Sequence, residues 1–350
     1  MKNRIIEEDI TFILSAGMPW ETMEGKNILI TGANGFIPAY MVETLLKLND
    51  TSFKSSLKVF GLVRNGARAA ERFANYKGRR DLAFIVQDVC EPLKIKEDIH
   101  FIIHAASQAS PKYYGKDPVG TISANVIGTY NLLKLAHEKK AEGFMFLSSG
   151  EVYGEVPENE MPIKESAFGY IDPMRVRSCY AEGKRAGETL CISWYHQYGV
   201  PVKIVRPFHT YGPGMRLDDG RVFADFVADI VNNRNIVMKS DGKATRTFCY
   251  LADSTVGFFT VLLNGRKGEV YNVGEEREVS IIDLANILAG LFPEKKLRVE
   301  AKETIKQEGY LRSTIMRHVP DTSKAKTLGW SPKYTLEHGF KRTIRSFSDT

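Results

Sequence analysis

Tyr180 and Lys184 stand four residues apart in S-C-Y-A-E-G-K-R. The surrounding periodicity predicts a helix over 177–198, which puts both side chains on one face. An ammonium near a phenol favours the phenolate, so the pair predicts a tyrosine of lowered pKa, usable as a general base near neutrality. The spacing alone is common on helices. It gains weight from Ser148 and Ser149, which end an apolar run in F-L-S-S-G-E-V-Y-G. A hydroxyl at the carboxyl end of a strand can hydrogen-bond the substrate oxygen that the tyrosine deprotonates. Together the three side chains suit removal of a proton from a sugar hydroxyl while a hydride leaves for a nicotinamide.

A second group of residues suits the other end of such a cofactor. The run N-I-L-I-T passes directly into G-A-N-G-F-I-P-A-Y and a helical pattern. Gly32 permits a tight turn, and Gly35 lets the backbone approach a pyrophosphate at a helix N-terminus, with Asn34, Phe36 and Ile37 beside them. Pro38 stands where a third glycine would allow close helix–strand packing, and proline is tolerated in a first helical turn. The next strand ends G-L-V-R-N, so Arg64 and Asn65 take the place of the acid that pairs with the ribose hydroxyl of NAD. Arg68 follows one helical turn later. An arginine here stacks on adenine or meets a 2′-phosphate, and read by itself it leans towards NADP. Asp88 and Val89 follow the third strand, where a carboxylate accepts from an adenine amino group or simply faces solvent.

The elements that must position these groups are legible as apolar runs at 28–30, 57–63, 82–87, 99–105, 143–148 and 202–206. Helical patterns at 35–48, 66–77, 118–139 and 177–198 lie between them. The alternation predicts an α/β fold, a doubly wound parallel sheet of the Rossmann type. Residues 1–25 read as an amphipathic extension packed on the body or on a partner, 26–206 as the dinucleotide-binding domain with the catalytic helix, and 207–350 as a smaller lobe that mainly binds substrate. Composition is that of an ordinary globular chain, 43% hydrophobic and 26% charged over 350 residues. The net charge of +6 is a mild bias, and no basic-aromatic stripe points to nucleic acid. Cys90, Cys179, Cys191 and Cys249 are scattered, which argues against a zinc site and a disulfide framework. No apolar stretch is long enough for a membrane span, and the acid-bearing start M-K-N-R-I-I-E-E-D argues against a signal peptide, so a cytoplasmic location without metal is expected.

As a set, these features resemble the extended short-chain dehydrogenase/reductase family from about residue 26 to 345. The matching pieces are T-G-A-N-G-F-I, I-I-H-A-A-S at 102–107, A-N-V-I-G-T at 124–129, S-S-G-E-V-Y-G at 148–154 and Y-A-E-G-K-R at 180–185. R-P-F-H-T-Y-G-P-G at 206–214, T-R-T-F-C-Y-L-A-D at 245–253 and P-D-T-S-K-A-K-T-L-G-W at 320–330 complete them. The resemblance implies Ser149, Tyr180 and Lys184 as the catalytic set, with Lys184 also holding the nicotinamide ribose. It implies a cofactor site that includes His104, Ala105, Ala106, Ser107 and Asn125, and substrate contacts from Ser149, His209, Arg221 and Arg246. It also implies a nucleotide-sugar substrate, NAD as the first expectation for the cofactor, and a homodimer built through the helices at about 118–139 and 177–198.

Within that family the chain looks most like the UDP-glucuronate decarboxylases, and Glu151 is the discriminating residue. A carboxylate there is useful when the 4-keto sugar undergoes more than rotation and reduction. The 4,6-dehydratases carry an acid one residue earlier, where this chain has Gly150. Departures stand at Pro38, Arg64, Gly150 and His209, the last replacing an asparagine usual in the family. The expected activity is oxidation at sugar carbon 4 followed by decarboxylation. The alternatives are a 4-epimerase, a 4,6-dehydratase, and a cofactor-binding protein without turnover.

Overall fold

The structure is a computed structural model that describes residues 3–301, 311 and 315–348. Met1 and Lys2, part of the charged start read above, lie outside the described residues. Seven strands form one parallel sheet: β1 (Asn27–Thr31), β2 (Lys58–Val63), β3 (Leu82–Val86), β4 (Phe101–His104), β5 (Gly143–Leu147), β6 (Val202–Pro207) and β7 (Glu269–Val273). Their order is β7-β6-β5-β4-β1-β2-β3. Ile28, Leu29 and Ile30 of β1 and Phe144, Met145 and Phe146 of β5 are fully buried, because helices cover both faces. The order reverses between β1 and β4, and that switch point opens a crevice at the carboxyl ends of the strands.

The helices are α1 (Arg4–Leu14), α2 (Phe36–Thr51), α3 (Gly66–Arg72), α4 (Pro111–Tyr114), α5 (Pro118–Glu138), α6 (Ser178–Tyr198), α7 (Val222–Val231) and α8 (Leu251–Asn264), followed by shorter pieces and the helix Leu336–Arg345. The six expected strand runs and four expected helical patterns each have their element, although α3 stops at Arg72 and a 3-10 turn continues it. The chain returns to the main sheet with β7, so the boundary expected at 206 does not separate two lobes cleanly. What lies outside the sheet is a set of short pairings. The strand Thr245–Arg246 lies between Val279–Ser280 and Arg317–His318, and α7 packs nearby. No described helix is long and apolar enough to cross a membrane.

Two features fix helices against the body. Helix α6 approaches the sheet closely because position 187 is glycine. A Cβ there would sit 2.5 Å from the Phe146 ring and 2.8 Å from the Asn125 carbonyl oxygen. The amino-terminal helix α1 is capped by Asn3 and buries Ile5, Ile10 and Ile13 on the body. Its Asp9 carboxylate is fully buried and accepts hydrogen bonds from Tyr40 (3.1 Å), Tyr250 (2.7 Å) and Arg342 (2.7 Å). A buried carboxylate persists only when so satisfied, and the three donors fix α1 against α2 and the helix Leu336–Arg345.

Candidate active site

A cavity of about 1120 Å³ runs along the carboxyl ends of the strands. At its floor the turn after β1 holds Gly32 at φ +65°, and a Cβ there would lie 3.0 Å from the Cα of Ala106. Gly35 caps α2, and Pro38 sits in that helix's first turn without breaking it. Gly32, Asn34, Gly35, Phe36, Ile37, Ala105, Ala106 and Ser107 all line this part. The amides of Ala105 and Ala106 donate to the Thr31 hydroxyl at 3.1 and 3.0 Å, which holds the strand end open. The Ser107 Oγ is buried and has no hydrogen-bond partner among the described residues. A glycine cradle with backbone exposed and an unanswered hydroxyl beside it fit a dinucleotide's pyrophosphate and ribose. Arg64, Asn65, Arg68, Asp88 and Val89 line the far end.

Two expected cofactor residues stand behind this lining. His104 is buried, and its Nδ1 lies 2.9 Å from the Thr31 Oγ1, while its buried Nε2 has no hydrogen-bond partner among the described residues. Burial holds its pKa down to about 3, and the Lys184 charge adds to this. Asn125 faces α6 across the helix pair, and its Nδ2 donates to the Thr121 carbonyl at 2.8 Å. Neither lines the cavity.

At the reacting end Ser148, Ser149, Glu151, Tyr180 and Lys184 come together in the lining. Ser149 lies two residues beyond β5 and caps a 3-10 turn over Gly150–Tyr153, its Oγ accepting from the Glu151 amide at 3.1 Å. Tyr180 is only 6% exposed, and its ring stacks on Tyr114 with centroids 5.1 Å apart. Lys184 is 2% exposed, and its Nζ donates to the Leu147 carbonyl at 2.5 Å, 5.9 Å from the centre of the Tyr180 ring. The expectation that the lysine lowers the tyrosine's pKa does not hold in this arrangement. Burial pushes the Tyr180 phenol up to about 12, while the hydrogen-bonding Ser149 hydroxyl pulls it down and the Glu151 charge raises it further. Burial likewise brings Lys184 down to about 7 against the opposing pull of Glu188. The spacing put both side chains on one face, but the ammonium is directed to a strand-end carbonyl.

Glu151 has a partner that the sequence reading missed. Arg177, just before α6, donates from both terminal nitrogens to the two Glu151 oxygens, each at 2.9 Å. The same guanidinium donates to the Leu311 carbonyl and lies 5.7 Å from the centre of the Tyr114 ring. The arginine immediately ahead of the Tyr180 helix was the signal available.

Across the cavity stand His209, Arg221 and Arg246. Arg221 is ion-paired to Asp219, and Arg246 donates to the carbonyls of Thr245, Ile315 and Met316. Burial, with the charges of Arg246, His318 and Arg221, holds His209 neutral, well below the usual histidine range. Its buried Nδ1 has no partner among the described residues. His318 was also missed. Its Nε2 lies 3.0 Å from the Gly150 carbonyl oxygen, and its ring stacks on Phe208 at 4.6 Å. A Cβ at position 150 would fall 2.7 Å from that ring, so the glycine is required by the histidine. Burial, aided by Arg246, brings His318 down to about 4.

A strand-end serine, a buried Tyr/Lys pair and a glycine cradle on one doubly wound sheet define a nicotinamide-dependent enzyme acting on an alcohol. Residues 28–274 match the model of the NAD dependent epimerase/dehydratase family, and the chain belongs to that family. It is 36% identical over 313 residues to UDP-glucuronic acid decarboxylase 3 of Arabidopsis thaliana, covering 89% of this chain and 86% of that one. To UDP-glucuronic acid decarboxylase 1 of Xenopus tropicalis it is 34% identical, covering 92% and 72%. Among solved structures it is similar to the UDP-glucuronic acid 4-epimerase of Bacillus cereus in complex with UDP-glucuronic acid and NAD, at TM-score 0.75 and 25% identity over 92% of this chain and 99% of that one.

Proposed function

We propose that this enzyme oxidises the sugar of a nucleotide sugar at carbon 4 and, given UDP-glucuronate, releases CO2 to leave a UDP-pentose. The observation that carries this reading is the Glu151 carboxylate, held two-toothed by Arg177 in the same cavity lining as Ser149 and Tyr180. The likeness to decarboxylases along nine-tenths of the chain supports it. The nicotinamide dinucleotide, NAD in the solved epimerase, supplies the hydride acceptor and later donor.

In this reading Tyr180 acts as a phenolate, which the positive charge of a bound nicotinamide would favour against its burial, and takes the proton of the 4-hydroxyl while Ser149 donates a hydrogen bond to the same oxygen as it becomes a carbonyl. Lys184 holds the nicotinamide ribose. The new ketone makes the carbon-5 carboxylate a β-keto acid, whose C–C bond breaks to CO2 and an enolate. Glu151 governs the proton that carbon 5 then takes up, and Tyr180 returns its proton to the oxygen on carbon 4. Arg221, Arg246 and the neutral His209 hold the diphosphate and nucleoside on the opposite wall.

Dehydration lacks its acid, because the space beside Gly150 is filled by the His318 ring. A 4-epimerase shares every step up to the ketone, and the likeness to the Bacillus cereus enzyme favours it as the second reading. Incubation with UDP-glucuronate and dinucleotide, followed by mass spectrometry and NMR, separates the two. A UDP-pentose establishes the decarboxylase, a product of unchanged mass inverted at carbon 4 establishes the epimerase, and no conversion of UDP-glucuronate rejects both for this sugar.

We also propose that a second copy covers the outer faces of α5 and α6, where Val119, Ile127, Tyr130, Ile192 and Tyr198 are exposed together. Light scattering that returns twice the mass of the chain is the expected result, and a monomer at micromolar concentration ends that proposal.

A further inference from the structure

The adenosine end of the cavity contains two cations for which the reaction has no use. Arg64 follows β2 directly, at the place where an acid meets the ribose of NAD, and Arg68 stands in the first turn of α3. Both line the cavity and both are exposed. Neither guanidinium makes a hydrogen bond or an ion pair with the described residues. Their neighbour Arg72 is different, being bound to the buried Glu43 at 2.5 Å. Asn65 does not substitute for the missing acid, because its Oδ1 accepts from the Arg68 amide at 3.0 Å.

The acids nearby form no ion pair with either arginine among the described residues, although the Arg64 charge, after the Gln108 and Gly120 hydrogen bonds, helps to hold the Asp117 pKa down. Asp88 turns one oxygen to the Cys90 amide at 2.9 Å. Asp117 is engaged by Gln108 and by the Gly120 amide. Glu71 lines the cavity three residues after Arg68 on α3 and forms no ion pair with it among the described residues. The ribose end therefore offers two forked donors and no carboxylate at the strand end. Such a site attracts an anion with several oxygens and gives no acceptor to a free 2′-hydroxyl.

We propose that Arg64 and Arg68 form a 2′-phosphate subsite and that the resident cofactor is NADP rather than NAD. The inference concerns the ribose end alone and stands or falls apart from the sugar chemistry proposed above. It separates this chain from the solved relative that holds NAD.

The test reads binding instead of turnover. Nucleotide released from the purified, acid-denatured protein is identified by mass spectrometry, and dissociation constants for NADP and NAD are then measured by calorimetry on nucleotide-free protein. The wild type is expected to release NADP and to bind it roughly ten- to a hundredfold more tightly than NAD. Arg64→Gln should lose most of that preference while binding NAD as before, and Arg64→Asp should reverse it. Melting curves without nucleotide check that each variant is folded. Release of NAD with a wild-type preference for NAD overturns the proposal. Equal loss of both nucleotides in Arg64→Gln also overturns it, since that is the signature of an arginine stacked on adenine. If UDP-glucuronate is not converted while the NADP preference holds, only the sugar reading fails.

Discussion

Arg64 and Arg68 at the far end are exposed and form no hydrogen bond or ion pair through their guanidinium groups among the described residues, whereas at the reacting end Arg177, Arg221 and Arg246 are each tied to a carboxylate or to backbone carbonyls. The same contrast holds for the other titratable groups. The Tyr180 phenol and the Lys184 ammonium are buried, and burial drives both toward their neutral forms. One end of the cavity acts through charge left exposed, which can capture an anion from water at small desolvation cost. The other acts through groups already stripped of water, whose strength appears only when a substrate replaces what they lost. A change at either end should therefore show in a different observable.

The largest effect is expected at Tyr180. Removing its hydroxyl in Tyr180→Phe should cut kcat by roughly 10²- to 10⁴-fold, the range for a positioned acid–base group. Dinucleotide affinity, and the ratio between the two dinucleotides, should stay at the wild-type values. Rates from single turnovers and the calorimetric constants of both proteins check this together. A change in that ratio would mean the two ends are coupled, and the contrast would break. The reciprocal outcome, already implied by the ribose-end proposal, is a smaller one. Arg64→Gln should alter affinity by roughly ten- to a hundredfold and leave kcat at saturating cofactor where it was.

The same contrast governs what the sequence reveals. Short-range pattern was enough for β1 to β6, for α2, α5 and α6, and for the glycine turn at Gly32 and Gly35, because strand burial and helix periodicity repeat within a few residues. The exposed arginines were readable for the same reason, as they follow β2 directly. The reacting end was legible only in its members. That Glu151 is held by Arg177, 26 residues on, is a tertiary fact, and so is the contact of His318 with Gly150 across 168 residues. His104 and Asn125 were assigned to the cofactor from their motifs, yet both stand behind the cavity lining, with one atom of each bonded to Thr31 or Thr121 and the other buried without a hydrogen-bond partner among the described residues. The expected lowering of the Tyr180 pKa failed on the same ground, since spacing says which face a lysine shares and nothing of how dry that face is.

The smallest effect tests that dryness. The Lys184 pKa is about 7 in the folded protein against 10.5 for the free side chain. Below pH 7 both folded and unfolded chains carry the proton, and the fold bears the full cost of a buried ammonium. Between about 7 and 10.5 the unfolded chain still holds a proton that the folded chain has released, so stability from this group rises with pH across that window. Lys184→Met keeps most of the stem and removes the charge, at the expense of one donor to Leu147. It should raise stability by about 1–3 kcal/mol at pH 6, and the gain should shrink steadily as pH climbs from 7 towards 10. Thermal melts of both proteins over that range read the slope. A gain independent of pH would place the ammonium in a wetter site than the geometry indicates, and a loss at every pH would make the Leu147 hydrogen bond worth more than the desolvation it requires. Either result would reduce the difference between the two ends to one of position alone.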